Sequence, residues 1–304
     1  MKIQKIFVVL LFIFFIPSCD ILNPGGTSYH NRIFFSSSRS GKEQLYMMNP
    51  DGSDIKQITS GEYWHKNGRW SPDAKKIVCN TEEGITTAGI NMIVINSDGS
   101  NRKLLGYGGQ KSWHPNGNKI TFSYMPSTEL GDLSSYIYIM NIYSTETMKI
   151  TNNYAIVDSD PNFSPDGNMI AFSSDRDYLT GTFRSEIYTM GFDGDNQKRL
   201  TFTNDLINLN PCFSPDGEQI IFNSSGKIMI VNLDGSVFKE LTKGSDIDLI
   251  FVLPKWSPDG SKVVFIARDT DGSARSYIYM VNIDGTNLHK VIDDDSVTSC
   301  DWSN

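Results

Sequence analysis

Beyond residue 30 the chain is a succession of short apolar runs cut by polar turns, and the runs follow a fixed order. A first run (Ile77-Val78-Cys79, Ile120-Thr121-Phe122, Ile170-Ala171-Phe172, Ile220-Ile221-Phe222, Val263-Val264-Phe265) precedes a second such as Ile187-Tyr188-Thr189-Met190 or Ile278-Tyr279-Met280-Val281. A turn follows, at Asp98-Gly99, Asp193-Gly194, Asp234-Gly235 and Asp284-Gly285, and a third run closes the unit, as at Leu200-Thr201 or Leu241-Thr242. Runs this short and this rich in β-branched and aromatic residues predict strands. Their near-continuous apolar character predicts strands covered on both faces.

Each first run is preceded by one motif: Trp70-Ser71-Pro72-Asp73-Ala74, Trp113-His114-Pro115-Asn116-Gly117, Phe163-Ser164-Pro165-Asp166-Gly167, Phe213-Ser214-Pro215-Asp216-Gly217 and Trp256-Ser257-Pro258-Asp259-Gly260. The copies recur at spacings of 43, 50, 50 and 43 residues, and a truncated copy, Trp302-Ser303, follows 46 residues later. Proline presets φ at the first central turn position, aspartate suits the second, and glycine supplies the left-handed residue entering the next strand. The aromatic packs between units. Counting the motif strand, each unit has four strands in about 46 residues, the period of a β-propeller blade.

The two ends of the chain complete the count. Ile33-Phe34-Phe35, Leu45-Tyr46-Met47-Met48 and Gln57-Ile58-Thr59 make three strands of a unit that lacks its aromatic strand, and Ser299-Cys300-Asp301-Trp302 supplies it. The expected fold is all-β: six blades of four antiparallel strands, closed by the carboxy-terminal strand joining the amino-terminal blade, so that no blade has a missing edge.

The aromatic-Ser-Pro-Asp-Gly signature, the Ile-Tyr second strand, the Asp-Gly turn and the terminal Leu-Thr resemble the repeats of the TolB-type six-bladed β-propellers across residues 31–304. That resemblance implies the fold strongly and the function weakly, since such propellers serve as periplasmic scaffolds, binding modules and domains of peptidases and lyases. The family's amino-terminal α/β domain has no counterpart between Cys19 and the first repeat.

The segment before the repeats reads differently. Lys2 and Lys5 precede eleven apolar residues, Ile6 to Ile16, followed by Pro17-Ser18-Cys19. This is the layout of a signal peptide, with a core too short to span a bilayer. Ile16-Pro17-Ser18-Cys19 resembles a bacterial lipobox, which implies cleavage after residue 18 and lipidation of Cys19. The expected organisation is a signal peptide over 1–18, a lipidated tether over 19–30 containing Pro24-Gly25-Gly26, and the propeller over 31–304. The expected location is the bacterial cell envelope, lipid-anchored on the periplasmic side or at the outer membrane.

Composition narrows the chemistry. A 304-residue chain that is 39% hydrophobic and 20% charged can bury a large core. Its 27 Lys+Arg against 35 Asp+Glu give net charge −8, and without a basic cluster a nucleic-acid partner is not expected. Cys79, Cys212 and Cys300 fall in strands of separate repeats and read as free, buried thiols.

In an antiparallel blade, the two tight turns share one face, and the loops between second and third strands share the other with the inter-blade connections. Length varies only on this second face, from Glu82–Asn91, Met125–Ser135, Asp175–Ser185 and Arg268–Ser276 down to Ser224-Ser225-Gly226. The TolB-type resemblance makes the motif strand innermost, so the residues just before it rim the central channel. These are Tyr63, Trp64, His65, Tyr107, Tyr154, Asp158, Asp160, Asp205, Asn208, Asn210, Asp246, Asp248 and Asp293-Asp294-Asp295, an acidic and aromatic set. Asp269-Thr270-Asp271-Gly272 and Asn49-Pro50-Asp51-Gly52 lack the full spacing and terminal glutamate of a calcium loop. His30, His65, His114 and His289 lack zinc spacing, and no Gly-x-Ser-x-Gly elbow exists. No metal and no cofactor are expected. The leading expectation is a non-enzymatic envelope propeller that binds a protein partner or a glycan. The alternative is a carbohydrate-active lyase or hydrolase using channel acids such as Asp158 and Asp160, or His65 with Lys66.

Overall fold

The computed structural model describes residues 30–303 except 87–88, 127–133, 153, 155, 179–183, 204–205 and 244–247. Among these residues, 24 strands form six four-stranded antiparallel sheets arranged as the blades of a propeller. Blade 1 comprises β1 (Ile33–Ser37), β2 (Gln44–Met48) and β3 (Lys56–Gln57). Blade 2 comprises β4 (His65–Trp70), β5 (Lys76–Thr86), β6 (Gly89–Asn96) and β7 (Lys103–Tyr107), and blade 3 comprises β8 (Lys111–Trp113), β9 (Lys119–Tyr124), β10 (Tyr136–Asn141) and β11 (Thr147–Lys149). Blade 4 holds β12 (Asp158–Phe163), β13 (Met169–Ser174), β14 (Glu186–Gly191) and β15 (Lys198–Arg199). Blade 5 holds β16 (Asn208–Phe213), β17 (Gln219–Ser224), β18 (Lys227–Asn232) and β19 (Lys239–Glu240), and blade 6 holds β20 (Leu249–Trp256), β21 (Lys262–Asp269), β22 (Ser276–Asn282) and β23 (His289–Lys290). The last strand, β24 (Val297–Trp302), pairs with β1 and completes blade 1, with Phe34 opposite Asp301 and Phe35 opposite Cys300. The expected blade count and ring closure are both present.

The turn motif does what its residues dictate. In each copy the fourth residue after the aromatic donates its N–H to the carbonyl of the first, as from Gly167 to Ser164 at 2.9 Å and from Gly260 to Ser257 at 2.9 Å. The serine hydroxyl donates to the aspartate two residues on, at 2.5 Å for Ser164–Asp166 and 2.6 Å for Ser257–Asp259. These bonds hold the Asp166 and Asp216 carboxyls below their ordinary range, and that of Asp259 falls to about 2. The closing Leu-Thr is explained as well. The threonine hydroxyl accepts the N–H of the blade's third strand, from Ile137 to Thr151 at 3.0 Å and from Ile187 to Thr201 at 2.9 Å. At the Asp-Gly turn of blade 2, Gly99 has φ +85°, and a Cβ there would stand 2.4 Å from the Ile58 carbonyl of blade 1. A tight inter-blade approach thus adds to the left-handed backbone in demanding glycine.

The core is divided into layers. Six buried apolar clusters lie one between each pair of neighbouring blades, the Phe34–Leu45–Trp70–Ile77 group joining blades 1 and 2 and the Ile33–Phe35–Ile266–Trp302 group joining blades 6 and 1. The motif aromatics Trp70, Trp113, Phe163, Phe213, Trp256 and Trp302 each sit in the layer shared with the preceding blade. Trp113 Nε1 donates to the Arg69 carbonyl at 2.9 Å and Trp256 Nε1 to that of Cys212 at 3.1 Å, so the large rings also satisfy inner-strand backbone. Cys79, Cys212 and Cys300 are free and buried, and burial pushes the Cys79 and Cys300 thiols up to about 12.

Candidate functional site

The innermost strands β4, β12, β16 and β20 each carry a bulge, between Lys66 and Arg69, Ser159 and Asn162, Leu209 and Cys212, and Val252 and Lys255. One residue inside each bulge is left-handed: Asn67, Asp160, Asn210 and Leu253, with φ between 52° and 56°. Asparagine and aspartate tolerate that conformation, whereas Leu253 is a strained occupant. The bulges re-aim side chains around the central channel.

The residue just before each motif aromatic forms a ring: Arg69, Ser112, Asn162, Cys212, Lys255 and Asp301. Three members clasp the next blade by accepting the N–H of its aromatic: Asp301 from Trp70 at 3.2 Å, Ser112 from Phe163 at 3.3 Å and Asn162 from Phe213 at 2.9 Å. Arg69 and Lys255 have no side-chain acceptor to offer, and both line the channel.

The channel has two chambers joined by a waist. On the tight-turn side a chamber of about 400 Å³ is walled by the ring and by the motif aromatics and prolines. A waist of about 20 Å³ lies between Arg69, Gln110, Lys111, Asp160, Asn210, Leu253 and Lys255. On the variable-loop side a chamber of about 450 Å³ is lined by residues including Glu43, Lys66, Asn67, Asp160, Asn210, Asn223 and Arg268. The wall therefore holds Lys66, Arg69, Lys111, Lys255 and Arg268 against Glu43, Asp160 and Asp301, a basic balance in a chain of net charge −8.

Burial, then the neighbouring charge of Arg69, brings the Lys111 ammonium down to about 7. Its Nζ donates to Asn80 Oδ1 at 2.6 Å and to the Asn67 carbonyl at 3.1 Å. Burial pushes the Asp160 carboxyl above its ordinary range, although the Asn210 N–H, at 3.4 Å, favours its anion.

The residues expected at the rim occupy several environments. Asp160 and Asn210 meet in the channel. Asp158 is fully buried, with Oδ1 2.9 Å from Arg176 Nη2. Asn208, also buried, donates to Glu186 Oε2 at 2.8 Å in a network that ties blade 5 to blade 4. His65 is buried with Nδ1 3.1 Å from Gln44 Oε1, and burial lowers its pKa to about 4. Trp64 lies under the Lys66 ammonium at 4.4 Å from the ring centroid. Tyr107 stacks on Tyr124 and lines a separate cavity of about 510 Å³ with Arg102 and Leu104, in blade 2. Tyr63 and Tyr154 are exposed on inter-blade connections, at 42% and 73%. Asp248 is exposed with its carbonyl accepting from Thr270, and Asp293 pairs with Lys290 at 2.9 Å. Asp205 and Asp246 lie outside the described residues, as does Cys19. Sequence reasoning missed Arg69, Lys111 and Lys255. The signal available was positional: aligning the repeats on the aromatic exposes the preceding residue as a ring position.

The model of the TolB beta propeller domain family matches residues 106–304. The chain belongs to that family. The TolB-like propeller is similar to the crystal structure of TolB from Acinetobacter baumannii, with TM-score 0.72 and 23% identity over 91% of this chain and 67% of that one. It is also similar to a putative TolB from Agrobacterium tumefaciens, with TM-score 0.66 and 22% identity over 90% and 92% of the two chains. Oligogalacturonate lyase from Vibrio parahaemolyticus shares the fold at TM-score 0.55 and 14% identity, over 86% and 76%. No curated protein matches the chain.

Proposed function

We propose that this TolB-like propeller is a non-enzymatic binding protein of the bacterial envelope that takes a protein partner on its variable-loop face. One observation carries the reading. Of the fourteen exposed large apolar side chains among the described residues, eight lie on that face: Tyr63, Ile90, Met125, Tyr154, Phe202, Leu206, Ile207 and Ile250. Exposed apolar surface concentrated on loops of variable length, over a rigid scaffold, is the anatomy of a protein-binding surface. Leu206, Ile207 and Ile250 gather beside the shortest loop, where the Gly226 backbone lies beneath Ile250 and the Ser225 N–H donates to the Ile207 carbonyl at 2.9 Å.

Lys2, Lys5, the apolar run and Ile16-Pro17-Ser18-Cys19 support export and lipid anchoring at Cys19, so Cys19→Ala is expected to release the protein from the membrane fraction or leave it uncleaved. A mature amino terminus elsewhere than Cys19 would remove the anchor from the proposal. For the binding face, a photo-crosslinking residue at Tyr154 is expected to capture a protein in intact cells, while one at Tyr143, exposed beside a tight turn on the opposite face, captures none. Capture at Tyr143 alone would place the partner on the wrong face for this reading. Asp158→Asn with Asp160→Asn tests the enzymatic alternative: the protein is expected to show no turnover on glycan or peptide panels, and turnover abolished by the pair would replace binding with catalysis.

A further inference from the structure

We propose that the tight-turn chamber and waist of the channel form a binding site for a small oxyanion, a carboxylate or phosphate group held by Arg69 and Lys255. The site lies on the face opposite the proposed partner surface and stands independently of it. Arg69 is 7% exposed. Its Nη1 donates to the Gly68 carbonyl at 2.8 Å, and its Nε is buried without a hydrogen-bond partner among the described residues. A guanidinium cannot shed its proton, so its burial must be offset by an anion or by acceptors. Asp301, on the same ring, forms no ion pair with it among the described residues and is engaged by the Trp70 N–H. The half-buried Lys255 side chain makes no hydrogen bond or ion pair among the described residues; its charge acts on the buried Asp160 carboxyl across the waist, and it lines both chamber and waist.

The two cations thus stand at the floor of a chamber of about 400 Å³ with donor capacity the protein leaves unused. That volume lies within the usual range of small-molecule sites, about 300 to 1,000 Å³. Guanidinium geometry suits the two oxygens of a carboxylate or phosphate, and a lysine adds a point charge. Lys111 beside the waist contributes to the same field: the repulsion it feels from Arg69 would be relieved by an anion between them. Hydroxyl and amide groups of Ser112 and Asn162 complete a polar wall.

The test is calorimetric titration of the full-length protein, at low ionic strength, with inorganic phosphate and separately with succinate, followed in parallel by tryptophan fluorescence. Trp70, Trp113, Trp256 and Trp302 ring the chamber, so occupancy should alter their emission. Saturable one-to-one binding of either anion is expected, and the stronger arm identifies which oxyanion the site prefers. Lys255→Met, at a half-buried side chain without a hydrogen bond or ion pair among the described residues, should fold with a nearly unchanged melting temperature and bind roughly tenfold or more weakly. Arg69→Gln should weaken binding at least as much. If neither anion binds at millimolar concentration, or if both variants bind as tightly as the parent protein, the proposal is overturned.

Discussion

The two faces of the ring are built from the same strands but obey different rules. On the tight-turn face blades 2 to 6 repeat one hydrogen-bond pattern, Ala74, Gly117, Gly167, Gly217 and Gly260 each donating at 2.9 Å across the motif turn. The motif aromatics are drawn into the inter-blade layers there. On the other face the connection in blade 5 is only Ser225-Gly226, β5 and β6 project as a long hairpin in blade 2, and large apolar side chains stand in solvent. Wherever a blade must meet its neighbour at a fixed distance, the turn residues are determined by packing. Where a loop meets only water, its length and chemistry are free to serve a partner. The chamber on the repetitive face departs from this rule only through Arg69 and Lys255, two side chains in a ring otherwise occupied by small or hydrogen-bonding residues.

The contrast can be tested first where the scaffold should be least tolerant. Trp302→Ala removes a buried ring from the layer between blades 6 and 1, and large aromatic truncations cost about 3 to 5 kcal/mol. Deleting the last seven residues should cost more, leaving the inner edge of β1 open and the protein aggregated or melting far lower. An unchanged melting temperature after that deletion would show that closure contributes nothing.

A smaller effect is expected from pH. Because Lys111 titrates near 7 in the folded protein and near 10.5 when unfolded, the unfolded chain binds more protons across that window, and stability must rise with pH. Between pH 7 and 9 the gain should be roughly 2 to 3 kcal/mol. Above pH 9 the buried thiols of Cys79 and Cys300, which stay protonated until about 12, act in the opposite direction. Denaturant titrations at pH 7, 8 and 9 should show a shallower rise for Lys111→Met than for the parent, and equal slopes would remove Lys111 as the cause.

Two glycines offer a finer comparison within the tight-turn face. Gly235, at φ +89°, would place a Cβ 3.8 Å from the Leu200 carbonyl, so Gly235→Ala bears the left-handed backbone alone, about 1 kcal/mol. Gly99→Ala adds the 2.4 Å clash with Ile58 and should cost roughly 1 to 3 kcal/mol more. Equal losses would mean the blades can shift apart at that turn. The smallest stability effect is expected on the other face: Phe202→Ser with Ile250→Ser should change stability by no more than about 0.5 kcal/mol while abolishing capture of the partner by the crosslinking residue at position 154.

The scaffold was legible in the sequence because its constraints are local. A turn that needs Pro, Asp and Gly at fixed offsets, or a threonine that must accept one N–H, writes itself into every repeat. The channel wall was not legible, and the bulges explain why. Asp158 pairs with Ser174 while Asn162 pairs with Ala171, so four steps on β12 match three on β13. In a regular strand residues four apart, such as Asp158 and Asn162, would share one side of the sheet; the bulge between them puts them on opposite sides. Counting alternate residues through the inner strand therefore misassigns Asp158 relative to the ring, and nothing in Asp158-Ser159-Asp160-Pro161 announces where parity breaks. Lys255 is a lone charge in the apolar β20 and Arg69 one of several polar residues in β4, and both patterns read as solvent-facing until the ring places the position before the aromatic at the channel.

Pairing of β1 with β24 has a consequence for biosynthesis. Emerging from the ribosome, β1 precedes its inner partner by more than 260 residues, with Phe34 paired to Asp301 at the end of that wait. Blades 2 to 6 each hold all their strands in one contiguous stretch and can assemble in order of translation. Blade 1 cannot. Its inner edge stays open until all the others have been made, and an open β-edge beside the apolar Ile33-Phe34-Phe35 is a template for mispairing. The first strand made therefore waits for the last before the stack of blades becomes a ring.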